Sequence, residues 1–120
     1  MSLVVGVGLR AGTSYRELRD LVDTTLAAAG GGDVRVVVTV EGRETEPGLQ
    51  RLAAALDADL RTASIERLGQ QPAPTPSEQV GRLTGTKSVA EAAVLATGAE
   101  LIVTKHRSAN ATAAVGRCTR

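Results

Sequence analysis

Short apolar runs alternate with segments of helical periodicity along this chain of 120 residues. Most of the apolar runs are rich in valine and are bounded by glycine or charged residues, which is typical of strands buried in a parallel sheet. The third run is more polar and gives a weaker signal. Strands are therefore predicted at residues 3–8, 33–40, 60–64, 100–105 and 112–117.

Helices are predicted between these strands from capping signals and from the spacing of apolar residues. Ser14 and Glu17 form a capping box, in which a hydroxyl accepts from an early helical N–H and a glutamate follows three residues later. The residues after it place an apolar stripe on one helical face: Leu18, Leu21, Val22, Leu26 and Ala29. Similar signals predict further helices starting at 45–47, 75–78 and 88–91.

The order of these elements predicts the fold class. Alternating strands and helices indicate one domain over residues 1–120, an α/β three-layer sandwich around a mostly parallel central sheet of about five strands. The connection between the last two strands is too short for a helical crossover, so they are expected to form an antiparallel hairpin at one edge. The segment 69–76 holds three of the four prolines and is predicted to be a loop within the domain.

Composition narrows the functional classes. The formal net charge is +1 and Tyr15 is the only aromatic residue. Because nucleic acids are bound by cationic surfaces and often by aromatic stacking, a nucleic-acid partner is not expected. Cys118 has no second cysteine and His106 no second histidine, so neither a disulfide within the chain nor a metal site is expected. No apolar stretch suits a membrane span or a signal peptide, which predicts a cytoplasmic protein without a membrane partner.

The first of three candidate ligand loops is GVGLRAGTS, at residues 6–14. Its glycines would let a ligand approach the backbone, its helix start offers N–H groups that favour anions, and its arginine is a forked donor suited to carboxylate or phosphate. The candidate binding residues in this loop are Gly8, Arg10, Gly12, Thr13 and Ser14. The spacing fits neither a P-loop nor a dinucleotide fingerprint, and a plain strand-to-helix turn is the alternative.

The second candidate loop, at residues 41–48, follows the second predicted strand and contains several acidic residues. In a parallel α/β sheet it lies at the same edge as the first loop, where ligands usually bind. Glu46 is its candidate catalytic residue, as a base or as an acceptor that orients a donor. The alternative is a solvated charged loop in which Glu46 only favours the helix N-terminus.

The third candidate region joins a turn near the C-terminus to the segment before the last predicted helix. Its candidate binding residues are Lys87, Ser88, Lys105, Arg107, Ser108 and Asn110. If the strand ends converge, Arg10 and the basic residues of this set would form one cationic rim that attracts anions. If the protein is catalytic, Lys105, Ser108 or the helix N–H groups near Ser14 are candidate donors to an oxyanion. The alternative is a solvated basic hairpin, with His106 a turn histidine without a specific task.

Four segments, taken together and in this order, resemble the CobE/CbiG C-terminal domain family of cobalamin (vitamin B12) biosynthesis. The segments are GVGLRAGTS, EPGL, TPSEQVGRLTG and TKSVAEAAVLATGAELIVTKHRSANATAAVGR. The resemblance extends from about residue 3 to residue 117. Its most specific parts are the first segment and the closing pattern formed by Lys105, Ser108, Asn110, Ala111 and Thr112.

The resemblance implies a cytoplasmic α/β domain that acts on or holds corrin-ring precursors. Longer family members open the ring lactone of a cobalt-precorrin and release acetaldehyde, whereas the domain alone is associated with binding or handing over an intermediate. The expected function is therefore binding of a carboxylate-rich corrin precursor, without a cofactor. The alternatives are a precorrin 5A-type lactone hydrolase and a docking domain for another pathway enzyme, such as a precorrin methyltransferase. A nucleotide ligand is a further alternative, because the first loop is rich in glycine.

Overall fold

Five strands and four helices make up the part of the chain that the computed structural model describes, residues 2–69 and 89–118. In chain order they are β1 (Ser2–Leu9), α1 (Tyr15–Ala28), β2 (Asp33–Val40), α2 (Pro47–Ala55), β3 (Asp59–Ala63), α3 (Ile65–Gly69), α4 (Val89–Ala96), β4 (Glu100–Arg107) and β5 (Ala111–Arg117). All five strands predicted from the sequence are present, the weak third one included.

The strands form one sheet in the order β3-β2-β1-β5-β4. β2 pairs in parallel with β1 and β3, whereas β5 pairs antiparallel with both β1 and β4. The α/β class and the antiparallel hairpin at an edge are thus confirmed, but the sheet is mixed rather than mostly parallel. Since β4 runs antiparallel to β5, it points the same way as β1, β2 and β3. The carboxyl ends of these four strands therefore lie at one edge of the sheet.

Helices cover both faces of the sheet, which confirms the three-layer arrangement. Leu3, Val5 and Val7 of β1 are buried against α1 and α2 on one face. Val4, the intervening residue, is buried with α4 on the other face. This alternation follows from the two-residue period of a strand, and it explains why the central strand is apolar throughout.

Two glycines allow α4 to lie almost in contact with the sheet. A Cβ atom at Gly6 would stand 2.1 Å from the carbonyl oxygen of Ala90, and one at Gly116 would stand 2.2 Å from Cγ1 of Val94. The alanines of α4 are buried on the same face. Small residues on the sheet and on α4 therefore allow the close packing of this part of the core.

The structure differs from the sequence prediction at two elements near the sheet edge. Helix α3 was not predicted, because five residues are too few to show a helical period; Oγ of Ser64 caps it by accepting from the Arg67 N–H at 3.1 Å. Strand β4 continues through His106 and Arg107, which were expected in the turn, because these residues pair with β5. The turn is therefore confined to residues 108–110. The helix predicted from 75–78 and the loop at 70–76 lie outside the described residues.

Candidate functional site

A cleft of about 720 Å³ opens at the edge of the sheet where β1, β2 and β4 end and β5 begins. We call it the sheet-edge cleft. Its walls come from the ends of these strands, from the turn at 108–110, from α3 and from the first residue of α4. Ligands of α/β proteins usually bind at this edge, because the loops that follow the strands converge there.

Three arginines line the sheet-edge cleft: Arg10, Arg43 and Arg107. The side chain of Arg43 is held in place, since its Nε donates to the carbonyl oxygen of Leu9 at 3.1 Å. Arg10 and Arg107 are exposed. No aspartate or glutamate occurs among the described residues that line the cleft. The described lining of the cleft therefore carries positive charge only, a setting that concentrates anions.

A large part of the remaining cleft wall is aliphatic. Val40, Leu68 and Val89 contribute aliphatic side chains from three different elements. Ile65, at the start of α3, also lines the cleft and is 61% exposed, the highest value among the large hydrophobic residues described. An exposed aliphatic surface beside three arginines suits a ligand that has both an apolar body and acidic groups.

Backbone contacts fix the first loop at the rim of the cleft. The N–H of Arg10 donates to the carbonyl oxygen of Asn110 at 3.0 Å, which ties this loop to the β4–β5 turn. The buried Thr13 closes the loop on itself, since its Oγ1 donates to the carbonyl oxygen of Arg10 at 2.6 Å. Gly12 adopts a φ of 82°, and its N–H donates to Oε1 of Glu46 at 2.8 Å. Glu46 thus joins the second loop to the first.

Glu17 of α1 accepts several hydrogen bonds from the β4–β5 turn. Its Oε2 accepts from the N–H of Asn110 at 2.7 Å and from Oγ of Ser108, and its Oε1 accepts from Nδ2 of Asn110 at 3.0 Å. The hydrogen bond from Ser108, followed by those from Asn110, lowers the pKa of the Glu17 carboxyl from its ordinary value of 4.5. Ser108 and Asn110, expected to be ligand donors, therefore already donate to a carboxylate of α1.

The pairing of β4 with β5 is irregular around Lys105, one of the predicted cationic residues. Val103 pairs with Val115 but His106 pairs with Ala113, so β4 carries one extra residue over this stretch. Such a bulge changes the face to which the following side chains point. The N–H of Lys105, within the bulge, donates at 3.0 Å to Oε2 of Glu91, a carboxylate fully buried in α4.

A second concavity, which we call the α1–β4 groove, lies beside the cleft and has a volume of about 710 Å³. Lys105 and His106 line it together with the acidic residues Glu17 and Asp20. Arg107 and Ser108 border both concavities. Because carboxylates line the groove, it favours anions less than the cleft does. The cationic rim expected from the sequence is thus divided, with Arg10 in the cleft and Lys105 in the groove.

The predicted binding residues fall into four groups. The sheet-edge cleft contains Gly8, Arg10, Arg107, Ser108 and Asn110. The α1–β4 groove contains Ser14 and Lys105, and also shares Arg107 and Ser108. Gly12, Thr13 and Glu46 line neither concavity and make the loop contacts given above. Lys87 and Ser88 lie outside the described residues.

Sequence reasoning missed three residues that shape the cleft: Arg43, Ile65 and Glu17. Arg43 lies in the second loop, where only the acidic Glu46 was predicted to be functional. Ile65 belongs to a helix too short to predict. Glu17 was assigned only to its own capping box; Oγ of Ser14 does accept from the Glu17 N–H at 3.1 Å, but the carboxylate contacts the β4–β5 turn. Because Glu17 and the turn are far apart in the sequence, no local sequence pattern could indicate their contact.

Within residues 2–69 and 89–118, no three His, Cys, Asp or Glu side chains converge as a metal site would require. No helix in the same ranges is both long enough and apolar enough to cross a bilayer.

Comparison with known proteins gives the same family from sequence and from structure. The model of the family described as cobalamin synthesis G C-terminus matches residues 3–116. The cobalt-precorrin-5A hydrolase of Priestia megaterium is 31% identical over 117 residues, which is 94% of this chain. This chain spans only 31% of the length of that relative.

Solved structures of similar fold include three from cobalamin biosynthesis. CobE, a protein from the cobalamin (vitamin B12) biosynthetic pathway, superposes with a TM-score of 0.82 at 32% identity, over 96% of this chain and 89% of CobE. The cobalamin biosynthesis protein chiG of Agrobacterium tumefaciens gives 0.70 at 26% identity, over 98% and 99% of the two chains. A putative cobalamin biosynthesis protein G homolog of Sulfolobus solfataricus gives 0.73 at 21% identity, over 100% of this chain and 38% of that chain, and shows the fold alone.

These matches confirm the resemblance that the ordered motifs indicated. The family model covers almost the whole chain. CobE, which has a higher TM-score and a higher identity than the other two structures, is itself a protein of the cobalamin pathway. The chain belongs to the cobalamin synthesis G C-terminus family and is a cobalamin biosynthesis protein of the CbiG/CobE type.

Proposed function

We propose that this protein binds a carboxylate-rich corrin-ring precursor in the sheet-edge cleft and hands it over to another enzyme of cobalamin biosynthesis. The observation that carries the proposal is the convergence of Arg10, Arg43 and Arg107 on an apolar wall without an acid among the described lining residues. Corrin precursors combine a large apolar ring with acetate and propionate side chains. Guanidinium groups pair with such carboxylates through two parallel hydrogen bonds.

The shape of the cleft supports binding followed by release. Arg10, Arg107 and Ile65 are all exposed, so they reach a ligand without a movement of the core. Aliphatic side chains would cover one face of the macrocycle, since no aromatic residue occurs among the described residues that line the cleft. Charge pairs that stay partly in water contribute modestly to affinity. A ligand held in this way can pass to a further enzyme, for which a precorrin methyltransferase is a candidate, and the expected compartment is the cytoplasm.

A titration with the corrin acid hydrogenobyrinic acid and with its neutral methyl ester tests the proposal. The two probes share the ring but differ in charge. We expect the acid to bind at least about tenfold more tightly than the ester, because only the acid forms charge-assisted hydrogen bonds with the arginines. Affinity for the acid should fall as salt is added, since exposed ion pairs are screened. Equal affinity for both probes, or no binding of the acid, would contradict the proposal.

A lactone hydrolase is the second candidate function. It is favoured by the similarity to a protein named cobalt-precorrin-5A hydrolase, although this chain spans 31% of that protein. Hydrolysis needs a base that activates water and a donor for the oxyanion. Glu46 is the proposed base and Lys105 the proposed donor, and both stay predictions. Glu46 contacts Gly12 and does not line the cleft, which gives the binding role more support than the catalytic one.

Acetaldehyde release from a lactone-bearing precorrin measures this activity directly. If Glu46 is the base, Glu46→Gln should abolish release, because an amide cannot take a proton from water at neutral pH. The substitution suits the test because glutamine keeps an oxygen that can accept from the N–H of Gly12. Binding of the precursor without any release would leave the binding role and exclude the hydrolase.

A further inference from the structure

The turn that closes the sheet-edge cleft is hydrogen-bonded to α1 through the carboxylate of Glu17. Glu17 accepts hydrogen bonds from Ser108, from the backbone of Asn110 and from the side chain of Asn110. The same turn follows Arg107 and lines the cleft, and the carbonyl oxygen of Asn110 accepts from the N–H of Arg10. Glu17 itself lines the α1–β4 groove and not the cleft.

We propose that Glu17 is a positioning residue for the sheet-edge cleft: it holds the turn at 108–110 so that Arg107 and Arg10 face one ligand. This inference rests on the proposed function. It also gives Asn110 a different role from the one expected from the sequence, since Asn110 acts through Glu17 instead of binding the ligand itself. A turn fixed before the ligand arrives loses less freedom on binding, which raises affinity.

The direction in which ligand affinity changes when Glu17 is removed distinguishes a positioning role from simple charge repulsion. Glu17 is ionised at neutral pH, since the ordinary pKa of a glutamate lies well below 7 and the hydrogen bonds from Ser108 and Asn110 lower the pKa of Glu17 further. A negative charge close to an anion site repels an acidic ligand, so removing it should tighten binding if charge alone matters. If Glu17 acts by positioning, its removal should weaken binding although a repelling charge has gone. The two explanations therefore predict opposite changes.

Affinity for hydrogenobyrinic acid in Glu17→Gln and Asp20→Asn variants tests the proposal. Asp20 is exposed on the same helix and lines the same groove, so Asp20→Asn removes an equal charge without releasing the turn. Glutamine has one acceptor oxygen and a donating NH2 group in place of two acceptor oxygens, so Glu17→Gln cannot keep all three hydrogen bonds from Ser108 and Asn110. We therefore expect Glu17→Gln to bind about tenfold more weakly than the unmodified protein. Asp20→Asn should bind equally or slightly more tightly. Unchanged or tighter binding by Glu17→Gln overturns the inference while leaving the proposed function intact.

Asn110→Ala and the double variant with Glu17→Gln separate the indirect role of Asn110 from direct contact with the ligand. If Asn110 acts through Glu17, Asn110→Ala should weaken binding alone but add nothing to Glu17→Gln. Additive losses would mean that Asn110 contacts the ligand, and would overturn its assigned role.

Amide hydrogen exchange in the protein without ligand tests the attachment even if the acid does not bind. The N–H of Asn110 donates to the Glu17 carboxylate, and Glu17→Gln weakens this attachment by removing the charge and one acceptor oxygen. Exchange of the Asn110 N–H should therefore accelerate at least about tenfold in Glu17→Gln and stay unchanged in Asp20→Asn. Unaltered exchange in Glu17→Gln would overturn the inference. Failure of the unmodified protein to bind the acid, with accelerated exchange in Glu17→Gln, would instead contradict the proposed function.

Discussion

Arg107→Glu is expected to weaken binding of hydrogenobyrinic acid by about 30-fold, which corresponds to about 2 kcal/mol. Arg107 lies at the border of the two concavities, and no acid among the described residues lining the cleft competes for it. The substitution removes a forked donor and places a carboxylate where the ligand carries its own carboxylates. Titration of purified protein at low ionic strength measures the change.

Arg35→Glu is the matched control for this substitution. Arg35 is exposed near the start of β2, at the opposite edge of the sheet from the cleft. Both variants change the net charge of the protein by the same amount, so a general loss of attraction for anions would affect them equally. We expect the affinity of Arg35→Glu to change by less than about twofold. Similar losses in the two variants would mean that the acid does not bind at the cleft.

Gly6→Ala is expected to destabilise the fold by about 3 kcal/mol, the upper part of the usual range for overpacking. The added methyl group would stand 2.1 Å from the carbonyl oxygen of Ala90 and 2.9 Å from Cγ2 of Val94. The oxygen belongs to the backbone of α4, so relief requires that the helix move away from the sheet. Denaturant unfolding should show the loss as a lower midpoint with an unchanged slope.

Gly12→Ala provides the comparison for Gly6→Ala. A Cβ at Gly12 meets no atom within 4 Å, but the residue has a φ of 82°. Its cost is therefore conformational only, about 1 kcal/mol. If Gly6→Ala lowers the free energy of unfolding no more than Gly12→Ala does, α4 does not pack as closely against β1 as described.

The architecture could be predicted from the sequence because each long element has its own local signal. The apolar run of β1 indicated burial on both faces, and the structure buries Val4 and Val5 on opposite sides. The prediction failed where the signal is short or depends on pairing. Helix α3 has only five residues, and the continuation of β4 through Arg107 depends on its pairing with Thr112.

The candidate site could be predicted only in part. Convergence of the loops follows from the direction of the strands, and the structure brings Arg10 and Arg107 to one cleft. The position of Lys105 in the groove could not be predicted, since β4 shifts its register against β5 at two places that no sequence pattern indicates. The contact between Glu17 and Asn110 joins residues 93 positions apart and follows from the packing of α1 against the hairpin.

Amide chemical-shift mapping during titration with hydrogenobyrinic acid tests the central claim most directly. If the precursor binds in the sheet-edge cleft, the largest saturable shifts should occur at Arg10, Ile65, Leu68 and residues 107–112. Asp20 and Thr24, which line only the α1–β4 groove, should change little. Shifts confined to the groove, or spread without saturation over the surface, would contradict the claim that three arginines and an apolar wall form a corrin-binding cleft.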